Sequence, residues 1–211
     1  MSLVQYLVGL QATFDTQALR PPAAAQAERA RLQAQATAVR ALTAWCLAGA
    51  MPRMRQPLAV GALRGAVGAE AAALATWADA FAREIDGGTR LDALPSQAAG
   101  LAWRLQAKLN DARPWRARRP GDPWDAGWAM STPPALRRLQ GDWMPRRATL
   151  VLADAADHEA LRLALAALWQ RSEDFRHPVR WLWVGGGGAD LPAVPGQAVA
   201  RFALGAGAGL G

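Results

Sequence analysis

The chain is poor in the residues that build disulfides and most metal sites: its 211 residues include one cysteine, Cys46, and two histidines. A single cysteine excludes an internal disulfide and a cysteine-based metal site. No apolar run approaches the roughly 20 residues needed to cross a bilayer. The opening MSLVQYLVGL lacks the basic start and small-residue cleavage site of a secretory signal peptide. We therefore expect a cytoplasmic protein with no membrane span.

Lysine is almost absent as well, because Lys108 is the only one and arginine supplies the rest of the net charge of +7. With 52% hydrophobic and 19% charged residues, the composition is that of a chain with a real core and excludes a disordered one. The length suits one domain, with at most a small helical appendage. The positive charge leaves binding to nucleic acid open as one function class.

Apolar runs and helical periodicities alternate along the chain. Helices are predicted at 23–47, 69–85, 96–110, 133–143 and 158–172, and strands at 57–63, 125–130, 146–154, 177–184 and 197–204. Strands that alternate with helices through short links are typical of a parallel sheet with helices on both faces. The predicted fold is therefore an α/β protein with a mainly parallel sheet of about five strands, preceded by an N-terminal helix.

A glycine-bearing turn, LRGAVGA, joins the first predicted core strand to the following helix. Such turns hold phosphates, because helix amides and a wrapped backbone favour anions. A functional phosphate loop also carries a lysine and then a serine or threonine. Gly65 and Gly68 are present, but Ala69 stands at the lysine position and Glu70 at the hydroxyl position. Taken alone, the motif also fits an ordinary strand–helix turn.

The strand TLVLAD ends in Asp154, with Asp157 three residues later. In phosphate-loop enzymes, an acidic residue at the end of such a strand binds magnesium. The same residues also fit an ordinary aspartate turn, with Asp157 as the N-cap of the next helix. If the nucleotide interpretation is correct, the glycine turn and Asp154 lie side by side on neighbouring strands.

The order and spacing of these segments resemble the nucleotide-binding core of STAND-class NTPases. The segments that carry the resemblance are ERARLQAQATAVRALTAWC, PLAVGALRGAVGAEAAALA, WDAGWAM, LRRLQGDWMPRRATLVLADAAD and HEALRLALAALWQRSEDFRHPVRWLWV. The resemblance implies a helix before the phosphate loop, the loop itself, a magnesium-binding strand and a sensor strand. It divides the chain into an N-terminal segment and helix, 1–48, and a degenerate P-loop NTPase-like α/β domain, 49–211.

This chain differs from the family pattern at the positions that bind phosphate and magnesium. The cradle lysine and the magnesium-binding hydroxyl are missing, and Glu70 adds a negative charge where triphosphate would lie. The sensor strand runs through Trp181, Leu182, Trp183 and Val184 without the expected polar end. We therefore predict a non-catalytic binding or scaffolding module, of the kind used in signalling or biological-conflict systems, with a protein partner and no required cofactor.

Two alternatives remain open at this stage. The first is weak ATP binding without catalysis, with Arg64, Gly65, Gly68 and Asp154 as its vestigial site. The second is a nucleic-acid-binding module that uses the loop RPWRARRP, with Arg113, Arg116, Arg118 and Arg119 on phosphates.

The chain contains ten tryptophans, which is many for its length. Four of them, Trp115, Trp124, Trp128 and Trp143, have arginines close by in sequence and fit either a partner surface or core filling. Cys46 is expected to be a small buried hydrophobe. His158 and His177 have no metal-ligand spacing, so no metal site is predicted.

Overall fold

A mixed, mostly parallel β-sheet forms the middle of the protein. The computed structural model describes residues 15–23, 32–33, 35–48, 57–65, 70–111, 122–185 and 194–204. Over these residues the strands are β1 Leu19–Arg20, β2 Leu58–Arg64, β3 Asp125–Ala129, β4 Thr149–Asp154, β5 Val179–Val184 and β6 Ala200–Ala203. The helices are α1 Ala36–Leu47, α2 Ala71–Ile85, α3 Gly88–Asp92, α4 Gln97–Asp111, α5 Pro133–Gln140 and α6 His158–Gln170. None of the described helices is long and apolar enough to span a membrane.

The strand order is β1-β3-β4-β5-β2-β6, and every pairing except the antiparallel β1–β3 pair is parallel. The central strands β2 and β5 are almost wholly buried, as continuous apolar runs in a parallel sheet require. The predicted α/β class and mainly parallel sheet are thus confirmed. The predicted strands 57–63 and 177–184 correspond to β2 and β5, and the predicted helix 96–110 corresponds to α4.

Helices cover both faces of the sheet. One apolar core joins α5 and α6 to side chains such as Val60, Val151 and Trp181. The other core joins α1 and α2 to alternate residues of the same strands, such as Leu63, Leu152 and Leu182. This alternation follows from the two-residue side-chain period of a strand, which sends neighbours to opposite faces.

Two elements near the N-terminus differ from expectation. The sequence does not predict strand β1, because a two-residue strand has no periodicity to detect. The helix predicted at 23–47 is described from Ala36, and Gln35 before it lies in a turn. Leu32 and Gln33 are also helical, as predicted, while residues 24–31 and 34 lie outside the described part of the chain.

A short helix between α2 and α4 also differs from expectation. The predicted end of the helix 69–85 is confirmed, because α2 ends at Ile85 and Gly87 adopts the left-handed backbone with φ of 80°. The chain then forms α3 over Gly88–Asp92, which is too short for its periodicity to be recognised in the sequence.

Candidate functional site

The carboxyl ends of β2, β5 and β4 form the edge of the sheet where the sequence predicts a nucleotide site. Leu63 of β2 pairs with Val184 of β5, and Val184 pairs with Asp154 of β4, so the three residues form one row. Asp154 and the turn after β2 therefore share this edge, as predicted. They are not on neighbouring strands, because β5 lies between them. At a strand spacing of about 4.8 Å, the two strand ends are about 10 Å apart.

The chain changes direction across the sheet at this edge. From β2 it proceeds to β3, on the far side of β5 and β4, whereas from β5 it proceeds past β2 to β6. The gap between β2 and β5 is therefore a topological switch point. In open α/β sheets, ligands bind in the crevice outside the carboxyl ends of strands at such a point.

The turn after β2 keeps only part of a phosphate-binding loop. Arg64 is the last residue of β2 and Gly65 follows it, while Gly68 and Ala69 lie outside the described residues. Glu70 precedes α2 with an extended backbone, and its exposed side chain makes no capping hydrogen bond to that helix. The first glycine of a complete phosphate-loop pattern would fall at Leu63, which is a fully buried strand residue here.

Arg64 is a partly buried cation at this edge. Its backbone carbonyl accepts a hydrogen bond of 2.9 Å from the Leu204 N–H, which continues the pairing of β2 with β6. Its side-chain Nε is buried and has no hydrogen-bond acceptor among the described residues. A buried guanidinium N–H without a partner costs free energy, so this group is a candidate donor to an anion.

The exposed side chain of Asp154 makes a local cap. Its Oδ1 accepts a hydrogen bond of 2.8 Å from the Ala156 N–H, and the side chain thereby caps the short 3₁₀ turn Ala155–Asp157. Asp157 is the N-cap residue of α6, as expected, but its side chain makes no capping hydrogen bond. The side-chain cap is at Asp154 because the 3₁₀ turn precedes α6 and its free N–H groups come first along the chain.

The end of β5 carries no polar side chain toward this edge. Trp181, Leu182 and Trp183 are fully buried, and Val184 is nearly so. Gly185 has a φ of 99°, and its N–H donates a 3.1 Å hydrogen bond to the Leu63 carbonyl. β5 therefore ends in apolar side chains, and a backbone hydrogen bond joins this end to β2.

The sequence predicts no metal centre, and the described residues contain no group of three histidine, cysteine or carboxylate side chains that could hold a metal ion. His158 begins α6, as expected, and its Nδ1 lies 3.0 Å from the Ala155 carbonyl oxygen. His177 precedes β5, as expected for a loop residue. Cys46 is fully buried, and burial raises the pKa of its thiol to about 12.

The tryptophans considered for a partner surface belong to the core. Trp124, Trp128 and Trp143 are each at least 95% buried. The Trp128 indole N–H donates a 2.6 Å hydrogen bond to the buried carboxylate of Asp79, which satisfies both groups inside the molecule. For these three residues the core-filling interpretation is therefore correct. Trp115 and the arginines of the alternative nucleic-acid loop, Arg113, Arg116, Arg118 and Arg119, lie outside the described residues.

A cleft of about 250 Å³ opens at the opposite edge of the sheet, where β3 and β4 begin. Three ion pairs border it: Arg138 pairs with both Asp15 and Asp142, and the buried Arg147 lies 3.6 Å from Asp125. Sequence reasoning misses this cleft because its walls come from segments far apart in the chain. The complete lining is Asp15, Leu19, Asp125, Arg138, Asp142, Trp143, Met144, Pro145, Arg146 and Thr149.

Comparison of the chain with protein-family models, with curated proteins and with solved structures gives no match.

Proposed function

We propose that this chain is a non-catalytic, NTPase-like module that binds or scaffolds a protein partner in a signalling or biological-conflict system. The observation that carries the proposal is the placement of the Arg64–Gly65 turn and Asp154 at one edge of the sheet, on either side of β5 and next to a topological switch point. A nucleotide would bind in this region of an α/β sheet. The side chains here differ from those of a catalytic phosphate-binding site.

Three features of this edge argue against phosphoryl transfer. Ala69 provides no cation for the phosphates, and Glu70 places an exposed carboxylate at the start of α2. Oδ1 of the Asp154 carboxylate accepts a hydrogen bond from the Ala156 N–H. Phosphoryl transfer depends on positioned cations that neutralise the charge developing on the phosphate. An edge with fewer cations and an added carboxylate therefore supports retention of the fold without the reaction.

The test is a pair of measurements on the wild-type chain with Mg-ATP. Equilibrium dialysis measures binding, and phosphate release measures turnover. The proposal predicts no phosphate release above the rate of the nucleotide alone in buffer. Micromolar ATP binding accompanied by turnover would show that the protein is an enzyme and would end the proposal.

Weak nucleotide binding without turnover is a second candidate, and one observation favours it. The buried Nε of Arg64 has no acceptor among the described residues, and phosphate oxygens are good acceptors for a guanidinium. Arg64→Ala is then expected to reduce ATP affinity at least tenfold. Arg201→Ala is the matched control, because Arg201 is exposed on the adjacent strand β6. Equal ATP affinity for wild type and Arg64→Ala would exclude this role for Arg64.

A further inference from the structure

Residues 15–20 form a strap that closes the sheet beside β3. Within this N-terminal strap, Ala18 is fully buried and Leu19 is 2% exposed in the core shared with α5 and α6. Leu19 and Arg20 pair with Ala129 and Trp128, and this is the one antiparallel pairing in the described sheet. The strap therefore covers an edge that would otherwise present free backbone groups and an apolar groove.

One ion pair and one ring contact hold the strap against α5 and β3. The Arg138 guanidinium at the end of α5 lies 3.2 Å from the Asp15 carboxylate through Nε and 2.5 Å from the Asp142 carboxylate through Nη1. The Arg20 guanidinium lies 5.9 Å from the centre of the Trp128 ring. The groove is thus complementary in charge and shape to this particular segment.

The strap continues directly into a stiff segment. Pro21 and Pro22 follow Arg20. Each proline fixes its φ near −65°, and the residue before a proline favours an extended backbone. The strap and the prolines after it therefore form one stiff, extended arm.

We propose that the groove beside β3 also accepts the N-terminal strap of a second copy of this chain, which gives a dimer with exchanged straps. Exchange preserves every contact of the strap, including the Arg138–Asp15 ion pair and the burial of Leu19. The balance between monomer and dimer then depends on the proline segment and on protein concentration. The partner copy supplies Asp15 to Arg138 and Leu19 to the core, and receives the same residues in return.

A charge-exchange experiment tests this directly. Asp15→Arg sets two guanidinium groups against each other, and Arg138→Asp sets two carboxylates against each other, so each variant alone has a mismatched strap. When the two variants are mixed, exchange matches both pairs. The native Asp15 of the Arg138→Asp variant then pairs with the native Arg138 of the Asp15→Arg variant. The arginine introduced at position 15 pairs with the aspartate introduced at position 138 of the other copy. The expected species in native mass spectrometry is a one-to-one heterodimer at twice the 22.4 kDa monomer mass.

The double variant Asp15→Arg with Arg138→Asp is the control, because it restores a matched pair within one chain and should behave as the wild type does. A mixture that contains only monomers would overturn the proposal. Homodimers of either single variant in the same amount as the heterodimer would also overturn it, since the contact would then not involve the strap.

Folding of each variant is checked by circular dichroism before mixing. Asp142 gives Arg138→Asp an additional carboxylate neighbour, so the same two variants are also made with Asp142→Asn. In that background Asp15 is the charged partner that remains for position 138 among the ion pairs described above. The expected result is again a heterodimer, and monomers alone would again contradict the proposal.

Discussion

Arg180 is a fully buried arginine at the start of β5, and it connects that strand to the end of α1. Its guanidinium donates to the Trp45 carbonyl at 3.3 Å and also to the Ala48 carbonyl. These carbonyls are at the negative end of α1, where a cation is stabilising. Burial lowers the pKa of Arg180 to about 10, which still leaves it charged near neutrality.

Replacement of Arg180 by methionine should lower the free energy of unfolding by about 2–4 kcal/mol, because buried carbonyl groups at the end of α1 lose their donor. Urea denaturation monitored by tryptophan fluorescence measures the change. Arg176→Met is the matched control, because Arg176 is exposed in the loop before β5. Equal urea midpoints for wild type and Arg180→Met would contradict the structural role of this residue.

Asp86, just after α2, gives a pH dependence with a definite sign. Burial raises the pKa of Asp86 from 3.8 to about 6, although the Gly88 N–H donates to its Oδ1 at 2.5 Å. The folded protein therefore binds this proton more tightly than the unfolded chain does. The resulting stabilisation is present below pH 3.8 and is lost as the pH rises through 6.

Asp86→Asn should remove the loss of stability that occurs as the pH rises, and the asparagine keeps an acceptor for the Gly88 N–H. We expect the variant to gain about 2 kcal/mol relative to wild type between pH 4 and pH 7, a figure that allows for partial exposure. Urea denaturation at the two pH values measures it. Glu84→Gln is the control, since Glu84 is an exposed carboxylate near the end of the same helix. Parallel pH profiles for wild type and Asp86→Asn would contradict the raised pKa.

At the scale of elements, β2 is held between α1 and β6 by a close approach at Gly61. A Cβ at this position would lie 3.0 Å from the Trp45 ring and 3.2 Å from the Phe202 ring. Those two rings are themselves in contact, with centroids 5.5 Å apart. The absence of a side chain at Gly61 therefore lets α1 and β6 pack against the middle of β2.

Gly61→Ala should cost about 1–3 kcal/mol of unfolding free energy, because the added methyl group overpacks the two rings. Gly100→Ala is the matched control: its Cβ would be 3.4 Å from Leu91, and alanine favours a helix such as α4. Thermal denaturation of both variants measures the difference. Equal stability of the Gly61→Ala and Gly100→Ala proteins would contradict the close packing of Gly61 against Trp45 and Phe202.

Most elements can be predicted from the sequence because they have strong local patterns. Strands β2, β4 and β5 are continuous apolar runs, and α2 and α6 have clear apolar stripes. The sequence does not distinguish a side-chain cap at Asp154 from one at Asp157, because both aspartates precede the same apolar helix. The burial of Trp124 and Trp143 also depends on tertiary contacts that their neighbouring arginines do not reveal.

At the scale of the whole molecule, the order of the strands is the part that the sequence does not reveal. Asp154 and the glycine turn share an edge because parallel strands end together, and that much follows from their positions at strand ends. The insertion of β5 between β4 and β2 depends on non-local pairing. The ion pair that joins Asp15 to Arg138 likewise spans more than half of the chain.

We propose that the carboxyl ends of β2, β5 and β4 have the arrangement of a nucleotide site without the cation that would hold phosphate. Restoring the lost groups tests it most directly, by titration of Mg-ATP into wild type and into Ala69→Lys combined with Glu70→Thr. We expect at least a tenfold higher ATP affinity in the double variant than in wild type. Equal affinity in the two proteins, or hydrolysis by the wild type, would contradict it.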